Sequence, residues 1–225
     1  MCQVGFPIPG PTGLNHKYLF CYMFDDTYKT LKESSEGLFK DKGSKFIAYA
    51  FPVSSEEEIK EHLAELKKKH YDARHHCYAW ALGPSRDAYR QNDDGEPSGT
   101  AGKPIYGQIL SNDLTNVFIV VVRYFGGVKL GVRGLINAYK AATLDAITNN
   151  TIEEKIIREI YEIQFEYPHM NEVMKVLKDH DLEQLKHDFA ISCKLTFAVR
   201  RNDADHIRSI FDSFHGVTIT YLHTL

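Results

Sequence analysis

The chain has 225 residues, 43% of them apolar, and a formal charge of −3, enough for a sizeable core in one large domain or two small ones. Residues 1–150 hold 18 basic against 17 acidic side chains and residues 151–225 hold 9 against 13, which excludes a basic nucleic-acid-binding tail and leaves only a local patch for such contact. Four scattered cysteines, Cys2, Cys21, Cys77 and Cys193, form no Cys-x-x-Cys pair and read as reduced thiols of a cytoplasmic protein.

In chain order, residues 1–22 contain Pro7, Pro9, Gly10, Pro11 and Gly13 but neither a basic start nor a long apolar run. They are expected to be a disordered extension, or a misassigned start with the initiator at Met23, and not a signal peptide or a membrane span. Lys45 to Phe51 reads as a strand closed by Pro52. Ser54 and Ser55, each with Glu three residues on, open a helix whose buried stripe is Ile59, Leu63 and Leu66 and whose last turn carries Lys67, Lys68 and Lys69. His75 to Leu82 alternates as a strand, with His75, Cys77, Ala79 and Ala81 on one face and His76, Tyr78, Trp80 and Leu82 on the other. Residues 83–104 carry seven glycines and prolines and are expected to form a long irregular connection.

Val117 to Val122 is uncharged and mostly β-branched, as in a strand buried on both faces. After Gly134, Leu135, Tyr139, Ala142 and Ala146 repeat at helical spacing down to Asn149. Between strand and helix lies Arg-Tyr-Phe-Gly-Gly-Val-Lys-Leu-Gly-Val-Arg-Gly, residues 123–134. Glycines and cations before a helix start suit an anion, because unpaired N–H groups point outward there; the same glycines also suit a plain tight turn. The spacing matches neither the P-loop nor the dinucleotide fingerprint.

Past residue 150, strands over 156–166, 183–189, 191–199 and 217–221 alternate with helices over 170–177 and 202–214. This βαββαβ order predicts a ferredoxin-like domain at 156–225, joined to a first domain at 23–148 by a linker at 149–155.

His75, His76, Cys77, Asp93, Asp94 and Glu96 invite a metal reading. No His-Glu-x-x-His or repeated Cys/His spacing supports it, and neither metal nor cofactor is expected. The acidic run reads otherwise as a solvated turn set by Asp94-Gly95, and Asp72 beside Arg74 as a surface pair.

Three motifs taken together closely resemble the YigZ/IMPACT family. They are Asp72-Ala73-Arg74-His75-His76-Cys77; Asp93-Asp94-Gly95-Glu96-Pro97-Ser98-Gly99-Thr100-Ala101-Gly102-Lys103-Pro104; and Val121-Val122-Arg123-Tyr124-Phe125-Gly126-Gly127 through Gly131. The resemblance spans roughly residues 27–150, and the second domain looks like the small module of bacterial YigZ-type members. It implies an α+β chain of two domains: a β-α domain like elongation factor G domain IV and a ribosomal protein, then the ferredoxin-like domain. It also implies RNA or ribosome contact and a link to regulation of translation, since eukaryotic members restrain a starvation-responsive kinase of an initiation factor. The family's motif residues fall on Arg74, His75, His76, Asp93, Asp94, Glu96, Thr100, Lys103, Arg123, Tyr124, Gly126, Gly127 and Gly131.

The leading expectation is a non-catalytic cytoplasmic binding protein whose first domain meets RNA, the ribosome or a translation-associated partner. In it the 126–134 backbone holds phosphate with Arg123, Lys129 and Arg133, while Tyr124 or Phe125 stacks on a base. The alternative is a hydrolase or transferase acting on a phosphorylated or peptide substrate, in which Asp93, Asp94 or Glu96 serves as base or metal ligand and His75 or His76 as acid or ligand.

Overall fold

The computed structural model describes residues 26–189 and 192–225; the expected extension at 1–22 lies outside them. The first unit contains β1 (Thr27–Leu31), β2 (Ser35–Asp41), β3 (Ser44–Pro52), α1 (Glu56–Lys69), β4 (His75–Leu82), β5 (Ala88–Asn92), α2 (Gly102–Ser111), β6 (Val117–Tyr124) and α3 (Gly131–Thr148). Five of its strands form a wholly antiparallel sheet in the order β2-β3-β6-β4-β5.

β6 lies at the centre with helices on both faces, which is why its run from Val117 to Val122 has no polar alternation. On one face, Ala48, Ala50, Ala79 and Ala81 make a shallow floor on which α2 and α3 pack, with Ile105, Ile109 and Tyr139 filling the space. The other face carries Tyr49, Trp80, Phe118 and Val122 under Ile59 and Leu66 of α1. The predicted alternation along β4 therefore divides two real cores. Ser55 caps α1, accepting from the Glu58 N–H at 3.3 Å, while the Glu58 carboxylate reaches back to Ser54 rather than to the cap residue itself.

Three sequence expectations are corrected. Residues 83–104 are not irregular throughout: β5 pairs with β4, and α2 begins at Gly102. β5 escaped notice because Ala88 to Gln91 are all exposed on the sheet edge, where backbone pairing needs no apolar alternation. α3 begins at Gly131, so the predicted glycine loop supplies the last two residues of β6 and the first turn of α3, leaving 125–130 as the connection. Residues 152–155 of the expected linker belong to β7 (Ile152–Ile156), antiparallel to β1 with Thr27 opposite Ile156.

The second unit contains β8 (Arg158–Glu166), a short 3-10 turn at Tyr167–His169, α4 (Met170–Asp179), β9 (Glu183–Phe189), β10 (Ser192–Arg200), α5 (Arg201–Asp212) and β11 (Val217–Thr224). Its antiparallel sheet has the order β11-β8-β10-β9, the ferredoxin-like arrangement expected. Ile163, Phe165, Leu195 and Phe197 face Val173, Leu177, Ile207 and Phe211 across one apolar layer. Asp26 ties the units together: its carboxylate pairs with Arg200 and its carbonyl accepts the Ile157 N–H at 2.6 Å. Together these elements give the two-domain α+β architecture.

Candidate functional site

β4 and β6 run side by side with His75 opposite Arg123, which brings two of the three motifs to one end of the sheet. The third, the acidic segment 93–102, folds against that end. Asp94 and Gly95 have φ of 37° and 84°, which turns the chain back toward β4. Once there, the Asp94 carboxylate accepts the His76 backbone N–H at 2.6 Å, and the Asp94 carbonyl accepts from His75 Nδ1 at 2.8 Å. Asp93 accepts from the N–H groups of Gly99, Ala101 and Gly102 at 2.8–3.0 Å. It thereby caps α2, whose own N-cap residue Ala101 has no side chain to do so. The Thr100 hydroxyl is likewise spent locally, donating to the Pro97 carbonyl.

Glu96 goes deepest. Its Oε1 accepts from Arg123 Nη1 at 2.6 Å and from the Tyr139 hydroxyl at 2.9 Å, and both charged side chains are buried. Cys77 Sγ lies 3.2 Å from the Tyr139 oxygen and 3.0 Å from the Asp93 carbonyl, with burial pushing its thiol well above the usual range. This arrangement replaces the solvated-turn reading of the acidic run. The three carboxylates hold backbone, cap a helix and neutralise Arg123, which is chemistry internal to the fold. No group of three or more His, Cys, Asp or Glu residues is placed to hold a metal ion among the described residues.

Beside this network lies a cleft of about 560 Å³ lined by Asp72, Ala73, Arg74, His75, Arg123, Tyr124 and Phe125. The expected Asp72–Arg74 pair is absent among the described residues. Asp72 instead accepts from the Tyr124 hydroxyl at 3.0 Å, and Tyr124 is held in turn by His70 Nδ1 at 2.9 Å. His70, whose other ring nitrogen meets the Tyr49 hydroxyl at 2.8 Å, was missed by sequence reasoning. It sits just past α1 and its partners lie on β3 and β6, so no local spacing marks it. Of the two candidate stacking rings, Tyr124 is thus tied into the wall and Phe125 points out, 56% exposed. The Arg123 guanidinium lies 5.4 Å from the Phe46 ring centroid and 5.5 Å from that of Phe125.

Arg74, His75, Arg123 and Tyr124 therefore meet in the cleft, and Asp93, Asp94, Glu96 and Thr100 support it from the adjoining loop. His76 is buried toward the α1 side, and Lys103 is exposed outside the cleft lining. Gly126, Gly127, Lys129, Gly131 and Arg133 belong to the connection and the α3 start. Gly126 is there for packing: a Cβ on it would lie 1.9 Å from the Gly43 carbonyl carbon. Gly127 and Gly131 adopt φ of 89° and 72°, which glycine tolerates best. Lys129 and Arg133 are exposed, and the first N–H groups of α3 have no side-chain cap.

Burial pulls the His76 pKa below its ordinary 6.5, and burial does the same to His70. A depressed folded pKa makes stability complete above about 6.5 and lost as pH falls from there toward the folded value, because the unfolded chain takes up the proton first. Urea midpoints measured from pH 7.5 down to 5.5 should therefore fall, and less steeply in His76→Leu.

Sequence and structural relatives identify the family. The Impact N-terminal domain profile matches residues 42–147, the stretch that builds most of the first sheet and the cleft. The chain is 35% identical over 153 residues to the IMPACT family member YvyE of Bacillus subtilis (strain 168), covering 68% of this chain and 70% of that protein. It is 35% identical over 150 residues to YigZ of Escherichia coli (strain K12), covering 66% and 74%. A crystal structure described as that of a hypothetical protein superposes with a TM-score of 0.69 at 27% identity, over 89% of this chain and 99% of the other. Among the described residues no helix is long and apolar enough to cross a membrane. Identity at this level over two thirds of both chains, with the three motifs folded together at one sheet end, makes this chain a member of the IMPACT family.

Proposed function

We propose that the chain is a non-catalytic cytoplasmic protein with a translation-related role, and that it binds single-stranded RNA through the cleft and the connection leading into α3. The translation part rests on family kinship. The RNA part rests on one observation above all: an exposed Phe125 ring lines the cleft, and two exposed cations, Lys129 and Arg133, follow it on the chain that leads into and opens α3. A flat apolar face beside positive charge and free helix N–H groups suits a stacked base with its phosphate alongside. The enzyme alternative is less favoured because its proposed bases, Asp93, Asp94 and Glu96, are already engaged by backbone N–H groups or by Arg123.

Fluorescence anisotropy with a labelled single-stranded RNA, read at several salt concentrations, tests this. Affinity should fall as salt rises. The Lys129→Ala/Arg133→Ala double variant should bind more weakly and lower the log–log salt slope by about 1.4, two single-strand phosphate contacts' worth. Phe125→Ala should cost about 1–3 kcal/mol, one base–aromatic stack. Unchanged binding in both variants would remove this site, and no RNA binding at all would remove the reading.

A further inference from the structure

The cleft and the connection beside it differ in chemistry. From Phe125 to Gly134 the chain carries Lys129 and Arg133 and no carboxylate. The cleft is close to neutral: Glu96 answers Arg123 from behind, and Asp72 and Arg74 both stand in the wall. A phosphate inside would face the Asp72 carboxylate, whereas on the connection it meets only positive charge. What suits the cleft is an uncharged, planar group with both donors and acceptors.

Its walls specify the pattern further. The Asp72 carboxylate accepts one bond, from Tyr124, and retains lone pairs for two more donors. Arg74 has no hydrogen-bond or ion-pair partner among the described residues, so its fork of donors is available. His75 Nδ1 faces a carbonyl, which can only accept, so in the neutral ring Nε2 carries the lone pair. Arg123, only 7% exposed, forms part of the wall, and its Nε–H finds no acceptor. Phe125 adds a flat aromatic face to the lining, and a volume of about 560 Å³ is in the range of small-molecule sites.

We propose, building on the RNA reading above, that this cleft receives one unpaired guanine base from the bound strand. Guanine presents two adjacent donors, N1–H and the N2 amino group, to a carboxylate such as Asp72. It also presents two acceptors, O6 and N7, to a guanidinium such as Arg74. Adenine would turn its N1 lone pair toward Asp72, and cytosine and uracil each offer the carboxylate a single donor position on a smaller ring. The flanking phosphates then lie along Lys129 and Arg133, with Phe125 stacked on the base.

The test compares four labelled oligouridylates of equal length, one carrying a central guanine, the others adenine, cytosine or uracil, titrated onto the full chain by fluorescence anisotropy at one salt concentration. The guanine oligomer should bind about tenfold or more tightly than the other three. Asp72→Asn should abolish that preference, bringing the guanine oligomer to the affinity of the other three. Lys129→Ala should weaken all four alike. Equal affinity for the four oligomers on the unmodified protein overturns the guanine site and leaves the RNA reading standing, and it needs no variant to fold. A guanine preference that persists in Asp72→Asn also overturns it. Failure of every oligomer to bind overturns both.

Discussion

Replacing Arg123 with Met is expected to destabilise the protein by about 3–5 kcal/mol, because it leaves the Glu96 carboxylate buried without its counter-charge. The guanidinium sits between the rings of Phe46 and Phe125, and its Nη1 donates to the oxygen that also accepts from Tyr139. With Arg123 gone, Glu96 must either stay charged in an apolar setting or take up a proton, and either outcome costs stability. A second substitution separates this from lost packing. In Arg123→Met/Glu96→Gln the neutral amide oxygen still accepts from Tyr139 and no charge is stranded, so much of the loss should return. Urea midpoints for the two single variants and the double variant read the coupling directly. Additive losses would show that the pair does not act as a unit. The same reasoning makes Arg123 a poor probe of RNA contact, since its removal would change folding as well as binding.

Gly37→Val should lower stability by about 3 kcal/mol, and Gly37→Ala by somewhat less. Gly37 lies on β2 where α3 crosses. A Cβ there would meet Ala146 N at 2.3 Å, Ala142 O at 2.7 Å and Ala146 Cα at 2.8 Å, all of them backbone. No rotamer change relieves a clash with helix backbone. α3 is also pinned to β2 by Ser35 Oγ donating to the Ala146 carbonyl at 2.8 Å and the Leu38 N–H donating to Asp145 at 2.8 Å, so it cannot retreat without losing these bonds. A loss of this size corresponds to a melting temperature lowered by roughly 6–12 °C. An unshifted thermal melt for Gly37→Val would mean that the helix and strand separate at little cost. Because Lys129 lies on the connection into α3 and Arg133 in its first turn, displacement of the helix should also weaken the proposed RNA binding.

Much of the fold was legible in the residues. The alternation of His75 to Leu82 marked a strand and assigned its two faces correctly, because each face is buried against a separate helix layer. The unbroken apolar run of β6 announced burial on both faces, and the six elements after residue 157 came in the expected order. β1, β2, α2, β5 and β7 did not show. The residues of β5 and β7 are almost all exposed, and these strands are held by ladder hydrogen bonds that leave no mark in side-chain pattern.

The site was legible as a set of residues but not as a set of roles. Sequence alone determined that His75, the acidic segment and the glycine connection are the chemically unusual parts, since residue types and family motifs are local properties of the chain. Tertiary structure decided what each of them does. Arg123 meets Glu96, 27 positions away, and becomes a buried structural pair. Asp93 caps a helix, and Tyr124 is tied into the wall through His70 and Asp72 while the Phe125 ring lines the cleft and stays exposed. The reason is physical: periodicity reports which face of an element is buried, whereas a charged or aromatic side chain is committed or left free by partners that only the packing of distant elements brings within reach.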